Sequence, residues 1–562
     1  MTQDARVFST QKAEFIPCER PFSNFDLVEK RFCGIPTMRR ILSQARMHGA
    51  RTIVIEEGLR EASDLQEEDE DILALREHFN PDETEACRVS FFRAVVSKEN
   101  IGGIPDDPFI GYAIYKKDAI TARVYESVIA ISRRENNYVR GAPSWTVAIA
   151  GRVFAVSGYL YAQQNRVTNS CAHVAVRTVA TRFRGKDLCY RQMNEWVSEY
   201  RRNNGLEERP PGEGLTVKEI CHLLGKSGAK TFVANYEDDE GPPVPYQLRL
   251  YSSIESGFPA IVVFGTGGQT HEDQPSHAIP VFGHTFNEDT WAPGADLLYF
   301  PLRQATKCLT SGAWVSMFIG HDDNAGSNYC IPQHYMEPHR ICRNTEGNVV
   351  FDKNNKPVSC YQQGGSVAYA IATVPDRIEA DPIEAEAIAA EYLLAILGEV
   401  PENFPGWRER WQHRLAFKSD GKLLVRRPEA MILRTSLVTG AEYCRHLAAV
   451  QGWDRSKRIP GWLGKVLRLV AGDHFWMVEV SMPELFSANR RKVGEILIRA
   501  DTEPSLQRDA GSFLLARLPG CVAFLETSDL ATSGTSASQH LFSYYPVDID
   551  DHVELLGCEA NI

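Results

Sequence analysis

A side-chain amide, a thiol, an imidazole and a carboxylate follow one another in an order that suits acyl transfer. The thiol is Cys171, in TNSCAHVAVRTVATRF (168–183). Thr168, Asn169 and Ser170 are residue types favoured at helix N-caps. The spacing of Ala172, Ala175, Val176 and Val179 then predicts a helix that opens at or beside the cysteine. There the unpaired N–H groups and the helix dipole favour a thiolate. Taken alone, the segment equally describes a small buried cysteine packing a first turn, and with 13 cysteines in the chain most need no other role.

The imidazole is His277, in QPSHAIPVFGHTF, where a polar loop hands over to a strand and a ring can turn toward a thiolate. His271 and His284 are expected at the surface, and His173 is expected to face away from Cys171. Strand geometry selects the carboxylate. If 278–283 and 314–320 pair antiparallel, the start of the first lies beside the end of the second. His277 then meets HDDNAG (321–326), so Asp322 or Asp323 orients the ring, and strand alternation leaves room for one of them. Asn287 and Asp289 leave from the other end of the strand, roughly 30 Å further along at about 3.3 Å per residue. For the oxyanion, YAQQN offers Gln163, Gln164 or Asn165 beside the Cys171 backbone N–H.

Three regions are expected to carry these pieces. Residues 1–145 read as an N-terminal α/β domain, with strands in 87–96, 109–115 and 125–132. Its acidic stretch LREASDLQEEDEDILALREHF reads as a helix with a solvated charged face. Residues 146–375 read as an α+β core with helices first and strands second. It holds the Cys171 helix, a helix at 191–202, and a third opened by the capping-box pair Thr216 and Glu219. The strands 259–265, 278–283 and 314–320 follow. Residues 376–562 read as a C-terminal α/β domain: a helix after Pro382, strand-like runs at 423–438, 475–482 and 493–500, and a loosely ordered stretch from Thr527.

Composition narrows the class. The chain has 562 residues, 43% hydrophobic and 24% charged, which fits a globular protein of several domains. A net charge of −12 argues against nucleic acid as a partner. No stretch approaches the roughly 18 apolar residues of a membrane span, and the first residues show no signal pattern. An odd, scattered set of cysteines suits a reducing cytoplasm. No cofactor and no metal are expected. Cys330, His334, His339 and Cys342 offer four zinc-type donors, but C-x3-H-x4-H-x2-C matches no established zinc spacing.

Together the chemical residues resemble the papain-like cysteine peptidase superfamily, most closely the bacterial peptidase cores that process bacteriocins at double-glycine leaders. Gln164, Cys171, Gly214–Thr216, Ser256–Ala260, His277–Ala278 and Asp322 carry the resemblance, over about 155–335. It implies a papain-like core within 146–375, its helical part bearing the cysteine and its antiparallel sheet bearing the histidine and aspartate. It also implies hydrolysis of peptide or isopeptide bonds in a protein or peptide substrate through an acyl-enzyme. Cys171, His277, Asp322 and Gln164 would carry the reaction. In the family the amide stands six residues before the cysteine, which is the place of Asn165. Gln164 fits only with a one-residue bulge; otherwise Asn165 is the donor. Gly326, four residues after Asp322, favours Asp322 over Asp323. Ala172 and His173 replace the family's usual residues after the nucleophile. Release by an amine would make the same site a transglutaminase-like or other acyl transferase, and loss of activity would leave a scaffold or recognition protein. The flanks resemble uncharacterised bacterial proteins and imply no substrate; the oligomeric state is left open.

Overall fold

Alternation along a short apolar strand organises the first part of the chain. In β2 (Thr52–Glu57), Ile53 and Ile55 face one buried cluster and Val54 faces another. The computed structural model describes residues 12–286 except 19–23, 33–34, 60–61, 132–136, 210–212, 238–243 and 266–275. It then describes 308–341, 359–398, 416–425, 431–450, 474–501, 513–524 and 553–556, each with small gaps or none. The stretch from Thr527 lies outside the described residues apart from a short piece near 553–556.

The chain forms two compact units: 1–241, 257–285 and 317–375 in one, and 242–256, 286–316 and 376–562 in the other. Residues 1–145 therefore belong to the same unit as most of 146–375. Its first sheet runs in chain order, β1 (Lys12–Pro17), β2, β3 (Glu85–Phe92), β4 (Phe109–Lys117) and β5 (Ala122–Ile129), antiparallel throughout. An α/β build was expected for this region. The strands are joined so that each returns beside its predecessor, and the result is α+β. Helices α1 (Phe25–Arg31) and α2 (Pro36–Met47) bury Val28, Ile41 and Leu42 against one face of the sheet. The other face shares a core with the hairpin of Ser144–Ile149 and Arg152–Ser157.

That same core continues into α4 (Cys171–Arg184), α5 (Tyr190–Asn203) and α6 (Val217–Lys226), and on to Ile261, Val263, Ala278 and Ile371 of a second sheet. The second sheet is eight-stranded. Its strands Gly326–Pro332, Val315–Asp322, Ser276–Phe286, Ala260–Gly265 and Ser366–Pro375 lie side by side in that order. The expected three strands are thus neighbours, and the helices-then-sheet reading holds. The acidic helix α3 (Ser63–Leu75) departs from expectation, because Glu68 and Asp69 are buried. Lys116 and Arg123 on the adjacent strands take up those charges, a pairing across the fold that a charge run does not announce.

The second unit is built around an antiparallel sheet of Ile432–Thr439, His474–Ser481, Gly494–Arg499, Phe513–Leu518 and Cys521–Phe524, so its build too is α+β rather than α/β. Helices α7 (Tyr246–Glu255) and α8 (Pro382–Gly398) belong to it. Within it Arg434 pairs with Glu255 and with Glu479, and Lys492 reaches Glu479 at 2.6 Å. No helix among the described residues is long and apolar enough to cross a membrane.

Candidate active site

Cys171 is the first residue of α4, and Ser170, in extended backbone, is its N-cap. At N1 the cysteine N–H has no intrahelical acceptor, and no hydrogen bond takes it up among the described residues. His173 has a role that the sequence reading missed. Its Nδ1 accepts from the Ser170 backbone N–H at 3.3 Å, and its other nitrogen, Nε2, meets Asn194 Oδ1 at 3.1 Å. The ring stands where a capping box normally has Glu or Gln. Burial holds it well below the usual histidine range, at about 3, so it caps as neutral imidazole.

The segment before α4 is sewn to the first sheet. Tyr161 and Ser127 exchange backbone hydrogen bonds at 2.8 Å, and the Gln163 N–H donates to Val124 O at 3.0 Å. The amide trio then divides by role. Gln163 Oε1 accepts from Thr37 Oγ1 (2.8 Å) and the Val124 N–H (2.7 Å), while its Nε2 donates to Asp323 O (3.0 Å). Asn165, 2% exposed, folds the loop around itself. Its Oδ1 accepts from the N–H groups of Val167 (2.9 Å), Thr168 (2.9 Å) and Asn169 (3.3 Å), and its Nδ2 donates to Glu68 (2.8 Å) and Thr168 Oγ1 (2.7 Å). These bonds hold Arg166 between them at φ 60°, in the left-handed region. With every donor and acceptor committed, Asn165 cannot serve an oxyanion, and that alternative falls. Gln164 is half-buried, and no hydrogen bond engages its amide among the described residues.

His277 lies on the strand Ser276–Phe286, paired with Phe264, whose ring meets the imidazole edge-on. On the neighbouring strand Gly320 lies against Pro280 and Val281, Ile319 beside Gly283, and Asp322 against His277. One number rises as the other falls, so the two strands run antiparallel, as the choice of carboxylate required. His277 Nε2 is 3.2 Å from Asp322 Oδ1 and 3.4 Å from Asp323 Oδ1. Asp322 also accepts from the N–H groups of Asn324 (2.8 Å) and Ala325 (3.2 Å), which fixes its carboxylate within the turn. Gly326 ends that turn at φ 119°, where a Cβ would fall 2.5 Å from the Arg40 side chain. Arg40 needs that space, because it donates at 2.8 Å to the carbonyls of both Ser327 and Asn328.

The Cys171 thiol is among the groups that favour the charged form of the same imidazole. Burial works against the charged ring, which is 7% exposed. The Asp322 bond and the neighbouring Cys171 thiol, with the charge of Asp323, outweigh it and hold His277 up at about 10. For Asp322, burial opposes ionisation, but the His277 bond and the turn N–H groups prevail and keep it below the usual carboxylate range. Asp323 is pushed up to about 6, first by burial and then by Asp322, against the pull of His277. It is 5% exposed, and neither carboxylate oxygen has a hydrogen-bond partner among the described residues.

Cys171, His277, Asp322 and Asp323 are thus brought together. A thiol that can pass its proton to a carboxylate-held imidazole can act as a nucleophile. The other histidines do different work. His321 is buried, with Nε2 3.1 Å from Tyr159 O and Nδ1 accepting from the Asn328 N–H at 3.0 Å. His284, expected at the surface, is fully buried and stacks on Tyr138, because its strand runs on to Phe286. His271 lies outside the described residues. Of the zinc-type set, Cys330 is exposed, and the side chains of His334, His339 and Cys342 lie outside the described residues. No family model matches the sequence, and neither a curated protein nor a solved structure is found similar to it.

Proposed function

We propose that the protein is a cysteine peptidase of papain-like build, working through Cys171, His277 and Asp322. The observation that carries this reading is an imidazole held by the Asp322 carboxylate at 3.2 Å, with the Cys171 thiol among the groups that keep its charged form up to about pH 10. In the proposed cycle the Cys171 sulfur attacks the carbonyl carbon, and the carbonyl electrons move onto oxygen. The Cys171 N–H and the Gln164 amide, both uncommitted among the described residues, would receive that charge. As the C–N bond breaks, the imidazolium gives its proton to the leaving nitrogen. Water, losing a proton to the same ring, then attacks the thioester carbon and releases the sulfur as thiolate. The loop of Asn165 and the carbonyl tie of Gln163 would keep the two halves of the site in register.

Labelling with iodoacetamide followed by peptide mass spectrometry tests the reading. At pH 6, Cys171 is expected to alkylate at least tenfold faster than exposed Cys330, and His277→Ala should remove the difference. Equal rates at the two cysteines in the intact protein would overturn the proposal.

A further inference from the structure

Three donor atoms at the rear of the candidate site have the spacing of a cation's coordination shell. His277 Nε2, one oxygen of Asp322 and one of Asp323 all lie within 4.8 Å of one another. In a tetrahedral zinc site with bonds of about 2.0–2.1 Å, neighbouring donors stand about 3.3–3.4 Å apart. The two separations from His277 Nε2, 3.2 and 3.4 Å, match that edge. Two carboxylates and a neutral imidazole suit a borderline divalent ion and would leave its fourth position open.

Asp323 supplies an independent reason to look for a ligand. Triad chemistry needs one carboxylate on the imidazole, and Asp322 already provides it. Asp323 nevertheless points its carboxylate at the same nitrogen from a buried position, with both oxygens lacking a hydrogen-bond partner among the described residues. A buried carboxylate without a partner is costly, and a cation would satisfy it together with its neighbour. Its backbone is tied down from the other side, since Asp323 O accepts from Gln163 and Tyr161. That fixes the backbone from which the buried side chain leaves.

We propose that His277, Asp322 and Asp323 form an inhibitory site for a divalent ion of the zinc type. Binding displaces the proton from Nε2, which leaves to solvent, and the ion takes the lone pair. The binding itself does not depend on the peptidase reading; its effect on turnover does. In the cycle above the imidazole alternates between two protons and one. With Nε2 on a metal, giving up the Nδ1 proton would leave an imidazolate, so the step that protonates the leaving amine is cut off.

The test uses the full chain with zinc as the probe, in a Cys330→Ser background that removes one ligand of the other candidate set. Cys171→Ala, which cannot hold zinc through sulfur, should still bind one ion per chain by calorimetry. Adding Asp323→Asn should weaken that binding at least tenfold, with Asp323→Ser as the substitute if the asparagine protein does not fold. Zinc binding lost with Cys171 alone would place the ion on the thiol and overturn the site. Binding unchanged by the Asp323 substitution would do the same by placing it elsewhere. Because the calorimetry is done without turnover, failure of the peptidase reading would leave this result standing, and the reverse is also true.

Discussion

Glu68 and Asp323 are both buried carboxylates beside the chain that leads into the candidate site, and they have been treated oppositely by the fold. Glu68 receives Lys116 and Arg123, each at 2.6 Å, and the Asn165 amide at 2.8 Å. Burial raises its proton affinity, but those cations more than reverse this and hold it at about 2. The Asp323 carboxylate has one imidazole at 3.4 Å and no hydrogen bond among the described residues, and it stays up at about 6. The first is a finished structural network whose product is the shape of the nucleophile's loop. The second is an unfinished one, and unfinished polar groups in a buried place are where a proton, an ion or a reacting group has room to act.

The contrast breaks most sharply under substitution of Glu68. Glu68→Ala takes one of two carboxylate partners from Lys116, which keeps Asp69, and from Arg123, which keeps Asp118, and it removes the acceptor that anchors Asn165, so it should cost about 3 kcal/mol in chemical denaturation. Asp323→Asn should behave the other way. Folding raises the Asp323 pKa from its ordinary 3.8 to about 6, so across that window the folded state binds more protons than the unfolded one. Stability contributed by this residue therefore falls as pH rises from about 4 to 6. At 1.36 kcal/mol per unit, the difference between wild type and Asp323→Asn should change by about 2–3 kcal/mol between pH 4 and 7, in favour of the variant at the higher pH. Denaturation curves at the two pH values measure it. Equal losses at Glu68 and Asp323 would erase the distinction.

The comparison also marks where sequence reading reaches and where it stops. The start of α4, the strand that opens beside His277 and the carboxylate turn after the next strand are local or near-local patterns, and each is where the residues suggested. Alternation allowed one aspartate to face the ring, yet both do. The strand ends at Asp322, so the pleat no longer governs Asp323. The family spacing put the oxyanion amide at Asn165, with Gln164 reached only through a one-residue bulge, and only the loop's hydrogen bonds show that the Asn165 side chain is already spent. Glu68 lies on a helix whose charge pattern reads as solvated. Its partners come from other elements, on strands 48 and 55 residues further along, and no window on the sequence contains them. Long-range polar pairing is the information a single sequence withholds.

His173 gives the finest version of the same contrast, because it is a buried titratable group whose hydrogen bonds are complete only when neutral. With its pKa pushed down to about 3 by burial, the unfolded chain binds the extra proton first as pH drops below the usual histidine value. Stability is thus present above about pH 6.5 and is lost as pH falls toward 3, the opposite slope to that of Asp323 over their shared window. Glutamine at this capping position can accept the same Ser170 N–H without titrating. His173→Gln should cost no more than about 1 kcal/mol at pH 8, and that cost should shrink or reverse by pH 4.5. Denaturation midpoints at the two pH values decide it: a deficit that stays constant would mean the ring serves α4 through packing alone.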